Sequence, residues 1–462
     1  SDHLSQQVSG STLGIFRLLF GLLMCHEFYE FYLYFSNHLK YSKFLIPHDG
    51  FEWLGMIPDQ LMMPVFLLLM AASILFALGY YYRLNSAIIA IGFAYVFLVD
   101  RGHYNNHFYL YTMMLLFFVV VNARWSFFGK NRTVMIPYWQ LFLFKAQLFI
   151  VYFYGGIAKI DWDWLQGYPM RYWLMELTQD STGWVRTFYH SEFGALFFSW
   201  SGLIFDLLVG FGLFSRRWRR ISIVFAIAFH IHNEMTFTIG SFPTAMICAL
   251  ILFAHPNLGN EIAIWIGGLK DGRSKVNWKR IPGYIFRKSP PLTHGTEKVK
   301  TVVKDQASKL YLYLLTCWFA IQLVVPFRHF LYPGDPGWTG EGHLFAWRMM
   351  LVDTVHGVRY SIVDEETGNK EPVDLLYYVT WRQFYKMSRT PKSYVKFAEF
   401  LKDEIKKNNP DVDPLIKMEI IKSVNDRPPR LLNDTTLNYA EVEAKSFGHA
   451  EWIQPWNKQL DS

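Results

Sequence analysis

The chain has 462 residues, of which 52% are hydrophobic, 18% aromatic and 18% charged, with a formal net charge of +7. Soluble domains carry about 25% charged residues, and the mean hydropathy here is positive at +0.12. Disordered, collagen-like, coiled-coil and disulfide-scaffold classes are excluded, and the composition is that of a membrane bundle.

A helix needs about 20 residues to cross about 30 Å of hydrocarbon. Nine apolar runs follow in chain order: 12–35, 62–82, 87–99, 108–121, 138–158, 193–214, 221–230, 242–254 and 310–327. The first is interrupted by His26, Glu27 and Glu30, and four of the others are short. The expected fold is a polytopic α-helical membrane protein of eight or nine spans over residues 1–330, with a C-terminal extracytoplasmic α+β domain over 331–462. Cations fall in alternate loops: Arg83; Arg124, Lys130 and Arg132; Arg216, Arg217, Arg219 and Arg220; and a basic loop at about 255–308. The other loops hold mostly Asp49, Glu52, Asp59, Asp161, Asp163, Glu176, Asp180 and Glu192. This bias puts the N-terminus in the cytoplasm and the tail outside it. The membrane is expected to be the plasma (inner) membrane of a prokaryote or the endoplasmic reticulum of a eukaryote. The basic loops read as topology and contact with anionic membrane lipid, with no nucleic-acid module and no nucleic-acid partner expected.

In the tail, residues 363–369 read as a turn between short strands. Residues 391–407 have a helical spacing, and Pro428 and Pro429 break a further helical run. Cys25, Cys248 and Cys317 lie in apolar runs, form no CxxC pair, and read as small buried hydrophobes.

Polar groups within hydrocarbon are costly and mark the places to look for chemistry. In YFYGGIAKIDWDW (152–164), Lys159 ends a span. It is either a lysine snorkelling to water or an amine desolvated enough to act as a base. Gly155 and Gly156 leave backbone free for close packing or for a ligand. In RGHYNNHFYLY (101–111), His103 and His107 stand four apart, but no HExxH pattern or carboxylate set supports a metal. Hydrogen bonding of Asn105, Asn106 or His107 to a ligand oxygen is the more economical role. In FHIHNEMTFTIGSFP (229–243), His230, His232, Asn233 and Glu234 form either a packed network or a pocket wall. Asp206 lies within a span and needs a partner: an arginine, a lysine or a neutral hydrogen bond. Lys145, deeper in the span that ends at Lys159, reads as structural. The three clusters open toward one face among many aromatics, a setting for a flat apolar ligand with oxygen functions. A quinone and a lipid head group both fit.

These motifs carry a resemblance. NNHFYLY (105–111), QLFIVYFYGGIAKIDWDWLQGYPM (147–170), FDLLVGFGLF (205–214) and FHIHNEMTFTIGSF (229–242) occur in that order. They continue into VVPFRHFLYPGDPGWTGEGHLFAWRMM (324–350), SVNDRPPR (423–430) and WIQPW (452–456). The chain resembles the vitamin K-dependent gamma-glutamyl carboxylases, of the horizontally transferred transmembrane domain family, as a compact homologue. The resemblance implies gamma-carboxylation of a glutamate-containing peptide or protein. Reduced vitamin K, of phylloquinone or menaquinone type, is then deprotonated by the uncharged amine of Lys159. Oxygen and carbon dioxide are co-substrates, the quinone leaves as its 2,3-epoxide, and no metal is required. His107 is implied to orient or stabilise the quinone oxygen. Asn105, Asn106, Tyr152, Gly155, Gly156, His230 and Asn233 are expected to bind the cofactor. The family's outer-side disulfide cannot be built from the three cysteines in their expected positions. Two other readings remain: a quinone epoxidase without efficient peptide carboxylation, and a non-catalytic lipid-binding, quinone-binding or transport protein.

Overall fold

A computed structural model describes residues 2–127, 134–237, 239–270, 306–364, 367–445 and 448–456. Most of the basic loop expected at 255–308 lies outside them, as do Lys130 and Arg132.

Each of the nine apolar runs falls on a helix. These are α1 (Ser11–Asn37), α2 (Asp59–Leu78), α3 (Tyr82–Val99), α4 (Asn106–Val120), α5 (Tyr138–Ala158), α6 (Glu192–Phe214), α7 (Arg219–Thr236), α8 (Phe242–Ala249) and, after α9 (Leu258–Lys270), α10 (Gln306–Val324). By length and composition six helices among the described residues can cross a membrane, or seven if the bent pair 242–253 and 258–266 counts as one span. That count is lower than the eight or nine expected, for physical reasons. Helix α4 is 15 residues long, and α7 carries Arg219, Arg220, His230, His232 and Glu234. The pair at α8 and α9 turns by 97°.

The bundle core is aromatic. Phe16, Phe20, Phe118 and Phe144 stack around one another, and Phe28, Phe31, Phe93 and Phe108 form a second group nearer the tail. Outward-facing apolar side chains such as Leu67, Leu68, Ile91, Phe211 and Ile321 stay exposed, as a lipid-facing surface requires. Buried Arg17 of α1 donates to the carbonyls of Ala77 and Ala123. It thereby serves carbonyls left open where α2 ends and just beyond α4. Gly156 lets α5 and α6 touch, because a Cβ there would lie 2.8 Å from the Leu207 backbone nitrogen.

The tail has its own core, built from Tyr360, Tyr394, Phe397, Ile416, Met418 and Ile420 with Phe44 and Ile46 of the 38–58 segment. Its sheet is antiparallel throughout, in the order β2-β1-β3-β4, from β1 (Thr354–Val363), β2 (Lys370–Val373), β3 (Leu415–Val424) and β4 (Arg430–Leu431). The expected turn at 363–369 joins β1 to β2, and the expected helix is α12 (Lys392–Asn408) after α11 (Trp381–Met387). The helical run expected before Pro428 is instead strand β3. Its burial alternates, with Ile416, Met418, Ile420, Lys422 and Val424 inside, which is the period of a strand.

Among the contacts that fix the tail against the bundle, two are made to buried carboxylates. Gln383, held in the capping box of α11 with Thr380, donates to Asp100 Oδ2 at 2.6 Å and to the Phe44 carbonyl at 2.9 Å. Arg427 meets the buried Asp163 through both carboxylate oxygens at 2.8 Å, and Asn425 donates to Asp163 Oδ2 at 2.6 Å.

Candidate functional site

A cavity of about 1940 Å³ lies between the bundle and the tail. Single-ligand pockets run to about 300–1,000 Å³, so this one has room for a flat cofactor and a second substrate. Lys159, His107, Asn105, Asn106, Tyr152, His230 and Asn233 all line it. Gly155 and Gly156, also expected in the cofactor site, are not among the residues that line it. Gly155 instead offers its carbonyl to Lys159 Nζ at 3.3 Å, and Gly156 is the close-packing point of α5 on α6.

Lys159 caps the end of α5 and turns back toward the bundle. Its Nζ is 2.6 Å from Asp206 Oδ2 and 5.3 Å from the centre of the Trp164 ring. Lys159 and Asp206 are 6% and 7% exposed, so the pair is closed off from bulk water. Lysine is the partner Asp206 required. Trp164 is fixed in turn by its indole N–H, which donates to the Ser199 carbonyl at 2.8 Å.

Across the cavity, the Tyr152 hydroxyl and His230 Nε2 share a hydrogen bond of 2.7 Å. His230 is 1% exposed, and its Nδ1 has no hydrogen-bond partner among the described residues. A buried ring nitrogen without a partner is costly, and a ligand oxygen would satisfy it. His107 follows the N-cap Asn105 of α4, with its ring against Phe108, Tyr111 and Phe242. Asn106 is pinned between the Tyr104 hydroxyl and the Arg348 carbonyl. His103, four residues before His107, turns away into a cage of Phe31, Tyr34 and Phe35. Among the described residues no group of three or more His, Cys, Asp or Glu side chains is placed to hold a metal ion.

Sequence reasoning missed part of the site. Glu27, buried on α1, lines the cavity beside Ser241. Arg348, Arg382, Lys386 and Arg389 line it from the tail side. The signal for three of them was present, because 382, 386 and 389 are spaced four and three apart, as on one helix face. Lys386 Nζ donates to Asn105 Oδ1 at 2.9 Å and to the Tyr104 carbonyl at 3.3 Å. Burial, with Arg389 and Arg382 beside it, pushes the Lys386 amine well below the usual lysine range.

Residues 5–258 match the HTTM domain, and residues 307–459 match the lumenal domain of vitamin K-dependent gamma-carboxylase. Over 174 residues the chain is 28% identical to the sporulation-delaying protein SdpB of Bacillus subtilis (strain 168), covering 36% of this chain and 53% of that protein. The chain thus spans about half the length of that relative. No solved structure matches it.

Proposed function

The chain belongs to the vitamin K-dependent gamma-carboxylase family, with an HTTM domain followed by the lumenal domain, and from that premise we propose that it carboxylates peptidyl glutamate. In this reading reduced vitamin K, oxygen and carbon dioxide are co-substrates and a glutamate-bearing protein is the acceptor. When bound, the hydroquinone supplies an oxidation to the 2,3-epoxide that generates a base strong enough for the gamma C–H of glutamate. No protein side chain reaches that strength, so the chain's own task is to take a phenolic proton, orient the ring and keep water out.

The observation that carries the reading is the buried pair of Lys159 and Asp206 facing a cavity open to the tail. In this reading Lys159 takes the phenolic proton as the uncharged amine that the family implies, and Asp206, as a carboxylate 2.6 Å away, stabilises the ammonium that results.

The residues fit a quinone. The unpartnered Nδ1 of His230 and the ring of His107 offer groups to its oxygens, and Phe205, Phe229 and Phe242 supply apolar walls. Tyr152 orients His230, and Asn105, Asn106 and Asn233 add polar contacts at the rim. Arg83, Arg124 and the 216–220 arginines sit at helix ends remote from the tail, which supports an extracytoplasmic tail where secretory substrates arrive.

The test is one paired assay on the full chain in detergent or lipid, with reduced vitamin K, oxygen, labelled bicarbonate and a glutamate-rich peptide. Both epoxide and label are expected, and Lys159→Ala is expected to cut both by about 100-fold or more, the range of a lost general base. Epoxide without label would replace the carboxylase with a quinone epoxidase. Neither product, from folded protein shown to bind quinone, would leave a quinone-binding protein.

A further inference from the structure

The tail wall of the cavity carries four basic side chains for which the proton-transfer step has no use. Arg382, Lys386 and Arg389 follow one another along α11 and just past it, and Arg348 comes from the segment before β1. Among the described residues, none of the four has a carboxylate oxygen within 4 Å. The same tail does form such pairs elsewhere, with Lys392 on Asp49 and Arg427 on Asp163.

Their hydrogen bonds run to neutral acceptors. Lys386 uses Asn105 and the Tyr104 carbonyl, and Arg382 Nε donates to the Gly102 carbonyl at 3.2 Å. Among the described residues Arg389 reaches only the Tyr385 hydroxyl, at 3.5 Å, and its Nε has no partner. Carboxylates act on the cluster from farther off: Asp100 and Glu27 on Arg382, Asp161 and Asp335 on Arg348, and Asp353 on Arg389. The charges acting on Lys386 are the like charges of Arg389 and Arg382.

Clustered basic groups with no carboxylate in contact repel one another, and a protein keeps them together at a cost that an anionic ligand offsets. A single carboxylate neutralises one of the four. Two carboxylates on one carbon bring twice the charge and several more acceptor oxygens into the same small volume, and guanidinium groups suit them through paired N–H donors.

We propose that Arg348, Arg382, Lys386 and Arg389 form a subsite for a geminal dicarboxylate, the malonate unit of a gamma-carboxyglutamate side chain. The inference rests on the carboxylase reading, in which a glutamate side chain gains its second gamma-carboxylate in this cavity. Glutamate half-fills the subsite, and the carboxylated side chain fills it. The same excess of positive charge stabilises the dianion that exists once the gamma proton has gone, so the cluster favours the reacting form over bound substrate.

The test is a binding measurement on quinone-free full chain in detergent. Two labelled peptides differ only in carrying glutamate or gamma-carboxyglutamate, and free malonate, acetate and inorganic phosphate serve as competitors. The carboxylated peptide is expected to bind about tenfold tighter or more, with malonate competing well and acetate and phosphate poorly. Lys386→Gln and Arg389→Gln are each expected to bring the ratio toward one with the melting temperature retained, and Lys386→Arg to keep the preference. Equal binding of the two peptides, a preference unchanged in both glutamine variants, or phosphate competing as well as malonate would overturn the subsite; the last would point to a lipid phosphate. Epoxide and label are measured on the same preparation. Carboxylation without a dicarboxylate preference rejects the subsite alone. A preference without carboxylation keeps the subsite and rejects the reaction.

Discussion

The two walls of the cavity treat charge in opposite ways. On the bundle side the buried lysine of the site has a counter-charge in contact, Asp206 at 2.6 Å, and the buried Glu27 has the Ser241 hydroxyl. On the tail side, Arg348, Arg382, Lys386 and Arg389 share one surface without a carboxylate within 4 Å. Hydrocarbon cannot solvate an open charge, so groups placed there must satisfy one another. On the tail side neutral acceptors hold the basic groups, burial depresses the Lys386 amine, and the cluster stays available for a ligand. The bundle wall is therefore suited to moving one proton within a closed pair, and the tail wall to holding an anion.

The strongest way to break this contrast is to open the closed pair. Asp206→Asn keeps the shape but removes the carboxylate that receives or stabilises the proton. Loss of one charge-assisted hydrogen bond of about 1.5–3 kcal/mol predicts a fall of roughly 10- to 100-fold in both epoxide and label. Steady-state rates with unchanged quinone binding check this, and activity equal to wild type would show that Lys159 works without its partner. A smaller effect is expected opposite. Tyr152→Phe removes the 2.7 Å hydrogen bond to His230 Nε2 but leaves Nδ1 free. At about 1 kcal/mol for a neutral hydrogen bond, KM for the hydroquinone should rise about fivefold with kcat little changed.

The contrast also explains which features were legible in the sequence. Nine of the ten bundle helices named among the described residues, all but α9, announce themselves as apolar runs, because a bundle in lipid must be apolar outside as well as within. The polar clusters at 101–111, 152–164 and 229–243 stand out for the same reason, and seven of the nine residues expected to form the site line one cavity. The partner of Asp206 was open in the sequence, since Lys159 is on another helix and reaches it only because Gly156 brings α5 onto α6. In the tail, water permits polar residues anywhere, so they carry less information. The spacing of Arg382, Lys386 and Arg389 is legible, but the direction of that helix face depends on Gln383 docking onto Asp100. Strand β3 was misread because Ile416, Ile420 and Val424 recur every four residues, which suits a helix as well as an alternating strand. Their β-branched side chains were the better guide.

The smallest effect sharpens the contrast within the tail itself. Lys422 occupies an inward position of β3, where its Nζ donates to the carbonyls of Trp338 at 2.6 Å and Ser388 at 3.0 Å. Burial, with Arg389 nearby, pushes its amine down to about 7, while the unfolded chain titrates near about 10.4. Between those values the unfolded chain binds a proton that the folded tail does not. The stability Lys422 contributes is therefore complete above about 10.4, declines as pH falls, and is lost once the pH has passed below about 7. Thermal unfolding should give a lower melting temperature at pH 7 than at pH 9, and Lys422→Met should flatten that slope. An unchanged slope in the variant would mean that Lys422 stays protonated in the fold, and the tail would then hold one more open charge behind its cationic wall.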